Sequence, residues 1–259
     1  MIFYFSGTGN SEWIARQVAA YQNEKLISIA DEMIDLNNTF QYTLGESEMI
    51  GFVFPVYSWA PPAIVKEFIK KICFTNYNSH YCFFICSCGD EAGLTLKIMH
   101  EVIRMKEWEW KAAFSVIMPN NYVSLPGFDT DPKELEKKKL DDSVGDVQRI
   151  NGLLESRTEY YFDCKKGSFA FLKSRIINPL FNKYQVTSKP FYATDDCISC
   201  GLCEKHCPMH NVKVDEKPVW GDNCTSCLAC YHICPRHAIH YGKATLKKHQ
   251  YFHPEHKRY

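Results

Sequence analysis

The chain has 259 residues, 46% of them hydrophobic and 23% charged, and its formal net charge is zero. This length and composition allow a hydrophobic core and set the expectation of two domains. Residues 1–157 carry a net charge of −6 and residues 158–259 carry +6. Neither half has the concentrated basic face that nucleic-acid binding requires, so a nucleic-acid partner is excluded.

The N-terminal sequence shows no export signal. It enters an apolar strand pattern at once, without a basic leader or a cleavage site. No apolar run approaches the roughly 18 residues of a membrane span. Cys73, Cys82, Cys86 and Cys88 lie in or near apolar runs and are expected to be reduced core residues. We therefore expect a soluble, cytoplasmic protein without a membrane span.

The first predicted elements are a strand, a glycine-containing loop and a helix. Residues 1–5 are apolar, the loop reads Ser6-Gly7-Thr8-Gly9-Asn10-Ser11, and residues 12–21 have helical spacing. Main-chain N–H groups at a helix N-terminus favour an anion. The loop lacks the Gly-Lys-Ser/Thr of a P-loop, and Glu12 replaces the third glycine of the dinucleotide fingerprint. Because the loop contains no Lys or Arg, only neutral donors would hold a phosphate, which fits a terminal monophosphate; the alternative is an ordinary strand–helix connection.

Strands and helices continue to alternate up to residue 157. Further strands are predicted at 25–30, 49–55, 81–87 and 112–118, and further helices at 61–72, 94–105 and 132–157. Five strands alternating with helices predict an α/β fold with a doubly wound five-stranded parallel sheet. In such folds the ligand binds beyond the carboxyl ends of the strands.

The glycine-containing loop resembles the FMN phosphate loop of flavodoxins. The segment Phe5–Glu12 is close to its clostridial form. The resemblance implies that FMN is held by the loops after the first, third and fourth strands. The implied residues are Ser6, Gly7, Thr8, Gly9, Asn10 and Ser11, then Pro55, Val56, Tyr57, Ser58 and Trp59, then Ser87, Cys88, Gly89, Asp90 and Gly93.

The sequence leaves the contacts of the flavin ring open. Tyr57 and Trp59 either stack on the ring or form lids over the domain core. The loop 88–93 carries no aromatic residue where flavodoxins have one, which predicts an open flavin face that a substrate or another cofactor can reach. The loop Pro119–Tyr122 either reaches the flavin rim or has no chemical role.

Residues 158–190 are predicted to connect two domains. Between Lys165 and Lys183, basic residues alternate with Phe, Leu and Ile in an amphipathic helical pattern. We expect this helix to pack on the first domain and to fix the position of the second. The alternative is a helix that lies on a membrane surface.

The C-terminal part contains an internal repeat of cysteines. The pattern C-x2-C-x2-C-x3-C-P occurs twice, and the second copy starts 27 residues after the first. In two-cluster proteins, the fourth cysteine of each run binds the other [4Fe-4S] cluster. The predicted ligand sets are Cys197, Cys200, Cys203 and Cys234 for one cluster and Cys207, Cys224, Cys227 and Cys230 for the other. The repeat resembles the bacterial two-cluster ferredoxins in all eight cysteines and both prolines; a structural zinc site is the alternative.

The expected organisation has four parts. They are a flavodoxin-like FMN-binding domain (1–157), an amphipathic helical linker (158–190), a small α+β ferredoxin-like domain with two clusters (191–243) and a basic tail (244–259). The tail contains His249, His253 and His256 without evident partners. It is therefore expected to be solvated and to have no role.

Together these patterns resemble the flavodoxin–ferredoxin fusion proteins of anaerobic bacteria and archaea. The resemblance implies low-potential electron transfer between clusters, which pass single electrons, and FMN, which exchanges one or two. We expect an electron carrier that serves redox partner proteins, and no catalytic residue is assigned. The alternative is an FMN-dependent reductase of a small-molecule substrate, fed by its own clusters, with a pocket formed by Tyr57, Trp59, Cys88 and Asn120–Tyr122. In a third, non-redox interpretation the clusters are only structural.

Overall fold

The computed structural model describes residues 1–35, 37–104, 106 and 108–256. The elements of the first part are β1 (Ile2–Tyr4), α1 (Asn10–Gln22), β2 (Leu26–Ser28), α2 (Ile29–Ile34), β3 (Gln41–Tyr42), β4 (Ile50–Pro55), α3 (Ala63–Lys71), β5 (Cys73–Phe74), β6 (Cys82–Cys88), α4 (Thr95–Val102), β7 (Trp110–Ile117) and α5 (Lys133–Glu155). They are followed by β8 (Tyr161–Asp163), α6 (Ala170–Leu172), a π-helical turn (Lys173–Ile177), α7 (Asn178–Tyr184), β9 (Phe191–Ala193), α8 (Leu202–Lys205), β10 (Val212–Val214), β11 (Pro218–Trp220), α9 (Ala229–Ile233) and β12 (Ile239–Tyr241).

Six strands form a parallel sheet in the order β2-β1-β4-β6-β7-β8. The central strands β4 and β6 are almost entirely apolar and buried, as parallel strands covered on both faces are. Successive side chains point to opposite faces, so Phe52 and Phe54 join one core layer and Val53 joins the other. The architecture is therefore α/β. Counted within the sheet, the first five strands have the order 2-1-3-4-5 of flavodoxin-type sheets.

The sheet has one strand more than the five predicted from the sequence. The additional strand, β8, pairs with β7 and places Tyr161 opposite Ala112. It lies in the segment expected to be a linker, and its three residues are exposed, so no alternation of burial marks it in the sequence. The predicted strand 25–30 is also shorter, because the Ser28 hydroxyl accepts a hydrogen bond from the Asp31 N–H and caps α2. The predicted helix end at residue 105 lies outside the described residues; α4 ends at residue 102.

The segment Ala170–Tyr184 is helical, but of its large apolar side chains only Phe181 belongs to its packing face. Its buried residues are Ala170, Ser174, Asn178 and Phe181, while most of its Phe, Leu and Ile side chains are exposed. An amphipathic pattern defines two faces without saying which of them meets the rest of the protein. In this segment, the face with the small and polar residues packs against the rest of the protein.

The cysteine-rich part is built from two short antiparallel strand pairs and two short helices. β9 pairs with β12, and β10 pairs with β11. Its core contains Tyr231, which is fully buried, together with Val212 and Ile239. This is a small α+β arrangement.

The C-terminal segment is packed against the protein, and the expectation that it is solvated is wrong. Tyr251, Phe252 and His253 are only 3%, 4% and 3% exposed. The ring of His253 stacks on Trp13, with 5.3 Å between the ring centroids. Burial of two aromatic side chains and a stacked imidazole stabilises the packed segment. This stabilisation outweighs the preference of the neighbouring basic residues for water.

The longest described helix, α5, has 23 residues and buries Val147, Ile150 and Leu154 against the sheet. Its other side is charged, as expected for a helix that covers a sheet in water. In the part of the chain that the structure describes, no helix combines the length and the apolar character that crossing a bilayer requires.

Candidate functional site

The two predicted cysteine sets surround two different cavities. Cys197, Cys200, Cys203 and Cys234 line one of them. Cys207, Cys224, Cys227 and Cys230 line the other. Each set takes three cysteines from one copy of the repeat and the fourth from the other copy. Within the described ranges, no three His, Cys, Asp or Glu side chains are grouped so that they could hold a single metal ion.

Several N–H groups point at these sulfur atoms. The bonds are Asn211 N–H to Cys207 Sγ (3.3 Å), Ser226 N–H to Cys224 Sγ (3.4 Å), Ala238 N–H to Cys234 Sγ (3.3 Å) and Trp220 Nε1–H to Cys230 Sγ (3.5 Å). Burial raises the pKa of Cys203 to about 11 and that of Cys227 to about 12. These thiols therefore keep their protons unless a metal displaces them.

The glycine-containing loop turns tightly between β1 and α1. Gly9 has a φ of +96°, which favours glycine, and α1 begins at the next residue. The Gly9 N–H donates to Ser6 Oγ (3.2 Å), and Ser11 Oγ shares a hydrogen bond with Ser87 Oγ (2.8 Å). The loop lines a cavity of about 90 Å³. Because the first N–H groups of a helix have no helical acceptor, this cavity lies beside free main-chain donors.

Residues distant in the sequence hold this loop. Asn10 Nδ2 donates to the carbonyl oxygen of Pro119 (3.1 Å), and Asn10 Oδ1 accepts a hydrogen bond from the Tyr251 hydroxyl (2.6 Å). The amide of Asn121 donates to the hydroxyl of Thr8. The loop after β7 and the C-terminal segment thus fix two of the predicted phosphate-loop side chains.

His232 connects this arrangement to the cysteine-rich part. It lies between Cys230 and Cys234, donates through Nε2 to the carbonyl oxygen of Asn121 (2.7 Å) and accepts through Nδ1 from the Tyr251 N–H (3.1 Å). Burial lowers the pKa of His232 to about 4, so the ring is neutral near pH 7. A closed set of hydrogen bonds therefore joins the glycine-containing loop, the loop after β7, α9 and the C-terminal segment.

The loop after β4 forms a tight turn with an unusual backbone. Tyr57 and Ala60 exchange main-chain hydrogen bonds of 2.9 and 3.2 Å. Ser58 and Trp59, which lie between them, have φ values of 48° and 61°. A positive φ is unfavourable for residues other than glycine, and such strain is concentrated at functional sites.

The helical segment Ala170–Tyr184 holds this turn. The Ser174 hydroxyl donates to the carbonyl oxygen of Trp59 (2.7 Å), and Asn178 Nδ2 donates to that of Tyr57 (2.9 Å). Lys173 Nζ lies 5.2 Å from the centroid of the Trp59 ring. Ser174 and Asn178 are not predicted from the sequence, because a polar residue within an amphipathic helix carries no signal of its own.

A cavity of about 750 Å³ adjoins the small cavity of the glycine-containing loop. The residues that line both are Val56, Tyr57, Cys88, Gly89, Asn120, Asn121 and Tyr122. Ser6, Gly7, Thr8, Asn10, Ser11, Pro55 and Ser87 line only the small cavity, and Ser58, Trp59 and Asp90 line only the large one. Gly9 and Gly93 belong to neither lining. Cys227 lines the large cavity, which therefore reaches the second cysteine set.

Two titratable groups of the large cavity, Cys88 and Tyr57, are uncharged near pH 7. Burial raises the pKa of Cys88 to about 12, which leaves it a protonated thiol. Burial, followed by the nearby Cys227 and Cys224, raises the pKa of Tyr57 well above its ordinary value. Neither group is suited to act as a nucleophile or a base near pH 7.

Comparison with known proteins identifies the cysteine-rich segment. Residues 196–239 match the family described as a 4Fe-4S dicluster domain. Among solved structures, the rubredoxin oxygen:oxidoreductase from the anaerobe Desulfovibrio gigas is 13% identical, with a TM-score of 0.33, over 60% of this chain and 36% of that one. A likeness of this size carries no argument about fold or function. Among curated proteins, no match to the chain is found. The chain thus contains an iron–sulfur domain, which supports a redox or electron-transfer role.

Proposed function

We propose that the protein is an electron carrier that binds FMN and two [4Fe-4S] clusters and connects one-electron with two-electron redox partners. The observation that carries the proposal is the direct contact between the two candidate cofactor sites. Cys227 lines both the second cysteine cavity and the large cavity beside the glycine-containing loop. Because electron transfer slows steeply with distance, cofactors on the two sides of this residue would exchange electrons readily.

The two cysteine sets fit two cubane clusters. A cubane takes one thiolate at each of its four iron corners, so its ligands must surround a small volume. The four cysteines of each set line one small cavity, which supports this assignment. The N–H groups directed at Cys207, Cys224, Cys230 and Cys234 would stabilise the negative charge on the cluster ligands and so raise their reduction potentials.

The chain also fits FMN. The loop Ser6–Ser11 has hydroxyls and main-chain donors but no cation, and its cavity lies at the N-terminus of a 13-residue helix. Such a site suits a monophosphate. Because the amide of Asn10 is bonded to protein at both ends, Asn10 would contribute its main-chain N–H. The adjoining cavity has room for the flavin ring.

The protein's own residues would bind and orient the flavin, which supplies the exchange of one or two electrons. Tyr57 and Trp59 would pack on the ring, and Ser174 and Asn178 would keep their turn in place. Neutral Cys88 would contact the ring without reacting with it. In this proposal, residues 1–157 carry the flavin, residues 191–243 carry the clusters, and the partners are cytoplasmic redox proteins, since exposed iron–sulfur ligands need a reducing compartment.

Anaerobic purification followed by a redox titration tests this proposal. We expect about one FMN and about eight iron atoms per chain, EPR signals from reduced clusters, and flavin absorbance changes in the same potential range. Reduced protein should pass electrons to both one-electron and two-electron acceptors. Colourless protein that contains only zinc would contradict the proposal.

The large cavity favours a second candidate function, that of an FMN-dependent reductase. Its lining includes Leu125, Phe128, Leu180 and Phe181 beyond the predicted flavin loops, so it has space next to the proposed ring position. A small apolar molecule could bind there. Rapid turnover of such a molecule by the reduced protein, without any partner protein, would favour the reductase over the carrier.

A further inference from the structure

The outward side of the helical segment Ala170–Tyr184 is an unusual surface. From Phe169 to Tyr184, every exposed side chain except Lys183 is apolar or aromatic. The exposed fractions are 79% for Phe169, 67% for Phe171, 53% for Leu180 and 49% for Ile176. Large apolar side chains exposed together on one short segment often mark an interaction site.

The inward side explains why these residues remain exposed. Ala170, Ser174 and Asn178 face the protein, and the two polar residues bind main-chain carbonyls of the turn Tyr57–Ala60. The helix is therefore held by its small polar side, and Phe169, Phe171 and Ile176 on its outward side remain about half exposed or more. Phe169 and Phe171 are therefore available to a second surface.

The segment that carries this face is rich in positive charge. Residues 164–194 contain six basic residues and no acidic one. Lys173 and Arg175 pair with Glu91 and Glu101. The exposed Lys165, Lys166, Lys183 and Lys189 flank the two ends of the apolar face and form no ion pair within the described part of the chain.

We infer that this face docks on an anionic phospholipid surface, with its helix in the plane of the membrane. Protein–protein interfaces carry about one hydrogen bond per 100–200 Å², whereas this face offers almost no donor or acceptor. A lipid surface needs none, because apolar side chains enter the acyl boundary and lysines remain at the headgroups. The lysines at both ends match the negative charge of anionic lipids. Ile177, Leu180 and Tyr184 also line the large cavity, so docking brings that cavity next to the bilayer.

Vesicle sedimentation with the intact, cofactor-loaded protein tests the inference. We expect binding to vesicles of mixed phosphatidylglycerol and phosphatidylcholine, and little binding to phosphatidylcholine alone. The double variant Phe169→Ser/Phe171→Ser should bind at least about tenfold more weakly, because two large side chains no longer enter the membrane. Val219→Ser, which truncates a side chain that is 68% exposed on β11, is the matched control and should bind like the wild type.

A second pair of substitutions separates charge from apolar insertion. Lys165→Gln/Lys166→Gln should weaken binding to the anionic vesicles by about tenfold or more and reduce its dependence on salt, since Lys183 and Lys189 remain. Equal iron content and visible absorbance in all variants would show that folding is intact.

Three results would overturn the inference. They are absence of wild-type binding to anionic vesicles, equal binding by the Phe169→Ser/Phe171→Ser variant, and a self-association of the wild type that this variant abolishes. The last result, measured by sedimentation equilibrium, would identify a second copy of the chain as the occupant. None of these results depends on whether the bound cofactors are those proposed above.

Discussion

The main chain at Gly7 lies directly against Cys227. A Cβ atom on Gly7 would be 2.7 Å from the Cβ of Cys227 and 3.4 Å from its sulfur. Gly7 belongs to the proposed phosphate loop, and Cys227 belongs to the second proposed cluster ligand set. The two sites are therefore in contact at a point where only glycine fits.

Gly7→Ala should separate the two sites. Because the added methyl group cannot fit at 2.7 Å, one loop must move, and overpacking of this kind costs about 1–3 kcal/mol. We expect weaker FMN binding and slower electron exchange between flavin and clusters, measured by fluorescence titration and by anaerobic stopped-flow absorbance. Gly152→Ala makes the same chemical change at a position with no atom nearby and should leave both quantities unchanged. Wild-type rates in Gly7→Ala would contradict the proposed electron path.

Substitution of one cysteine from each set should have different consequences for the flavin. Cys203 lines only the first cysteine cavity, whereas Cys227 also lines the large cavity. Cys203→Ser should lose about half of the iron and keep FMN, because each cluster depends on its own four thiolates. Cys227→Ser should lose about half of the iron and also bind FMN more weakly. Iron and flavin analysis of both variants checks this, and loss of flavin from Cys203→Ser would refute it.

Thr8→Ala should weaken FMN binding by about 1–3 kcal/mol, the usual cost of leaving a charged acceptor one donor short. Thr8 is 2% exposed, and its hydroxyl accepts a hydrogen bond from Asn121. Thr8→Ser keeps the hydroxyl and should retain most of the affinity. If both variants bind FMN as the wild type does, by fluorescence titration, Thr8 is not a phosphate ligand.

Acid should release the C-terminal segment. Burial lowers the pKa of His253 from 6.5 to about 4, so the folded segment binds a proton less readily than the unfolded one. Its contribution to stability is therefore complete above pH 6.5 and is lost as the pH falls towards 4. Between pH 7 and pH 5.5 we expect a loss of about 1 kcal/mol, or nearly tenfold in hydrogen-exchange protection.

The His253 main-chain N–H is a suitable probe, because it donates to the carbonyl oxygen of Thr8 (2.8 Å). Protection factors at this amide correct for the intrinsic effect of pH on exchange. His253→Gln removes the titrating ring and should flatten the pH dependence. An equal pH dependence in this variant would show that another group controls the segment.

The sequence predicts features whose signals are local. The cysteine repeat is one, because three of the four predicted ligands of each cluster lie in one closely spaced run whose pattern is visible in the sequence. The loop Ser6–Ser11 is another, since a glycine turn before a helix is defined within six residues. The five main strands were predicted because central parallel strands are continuous apolar runs, whereas β8 was missed because its residues are exposed.

Only the tertiary structure decided how these parts meet. The hydrogen bonds of Asn121 to Thr8, of Tyr251 to Asn10 and of Ser174 to Trp59 join residues 113, 241 and 115 positions apart. Ser and Asn occur throughout any chain, and they acquire a role only from the partner that folding places beside them. Tertiary contacts also decide which side of the helical segment Ala170–Tyr184 faces the protein. Its amphipathic pattern is identical whether the apolar side faces inward or outward, and the hydrogen bonds of Ser174 and Asn178 to carbonyls of the turn Tyr57–Ala60 hold the polar side inward.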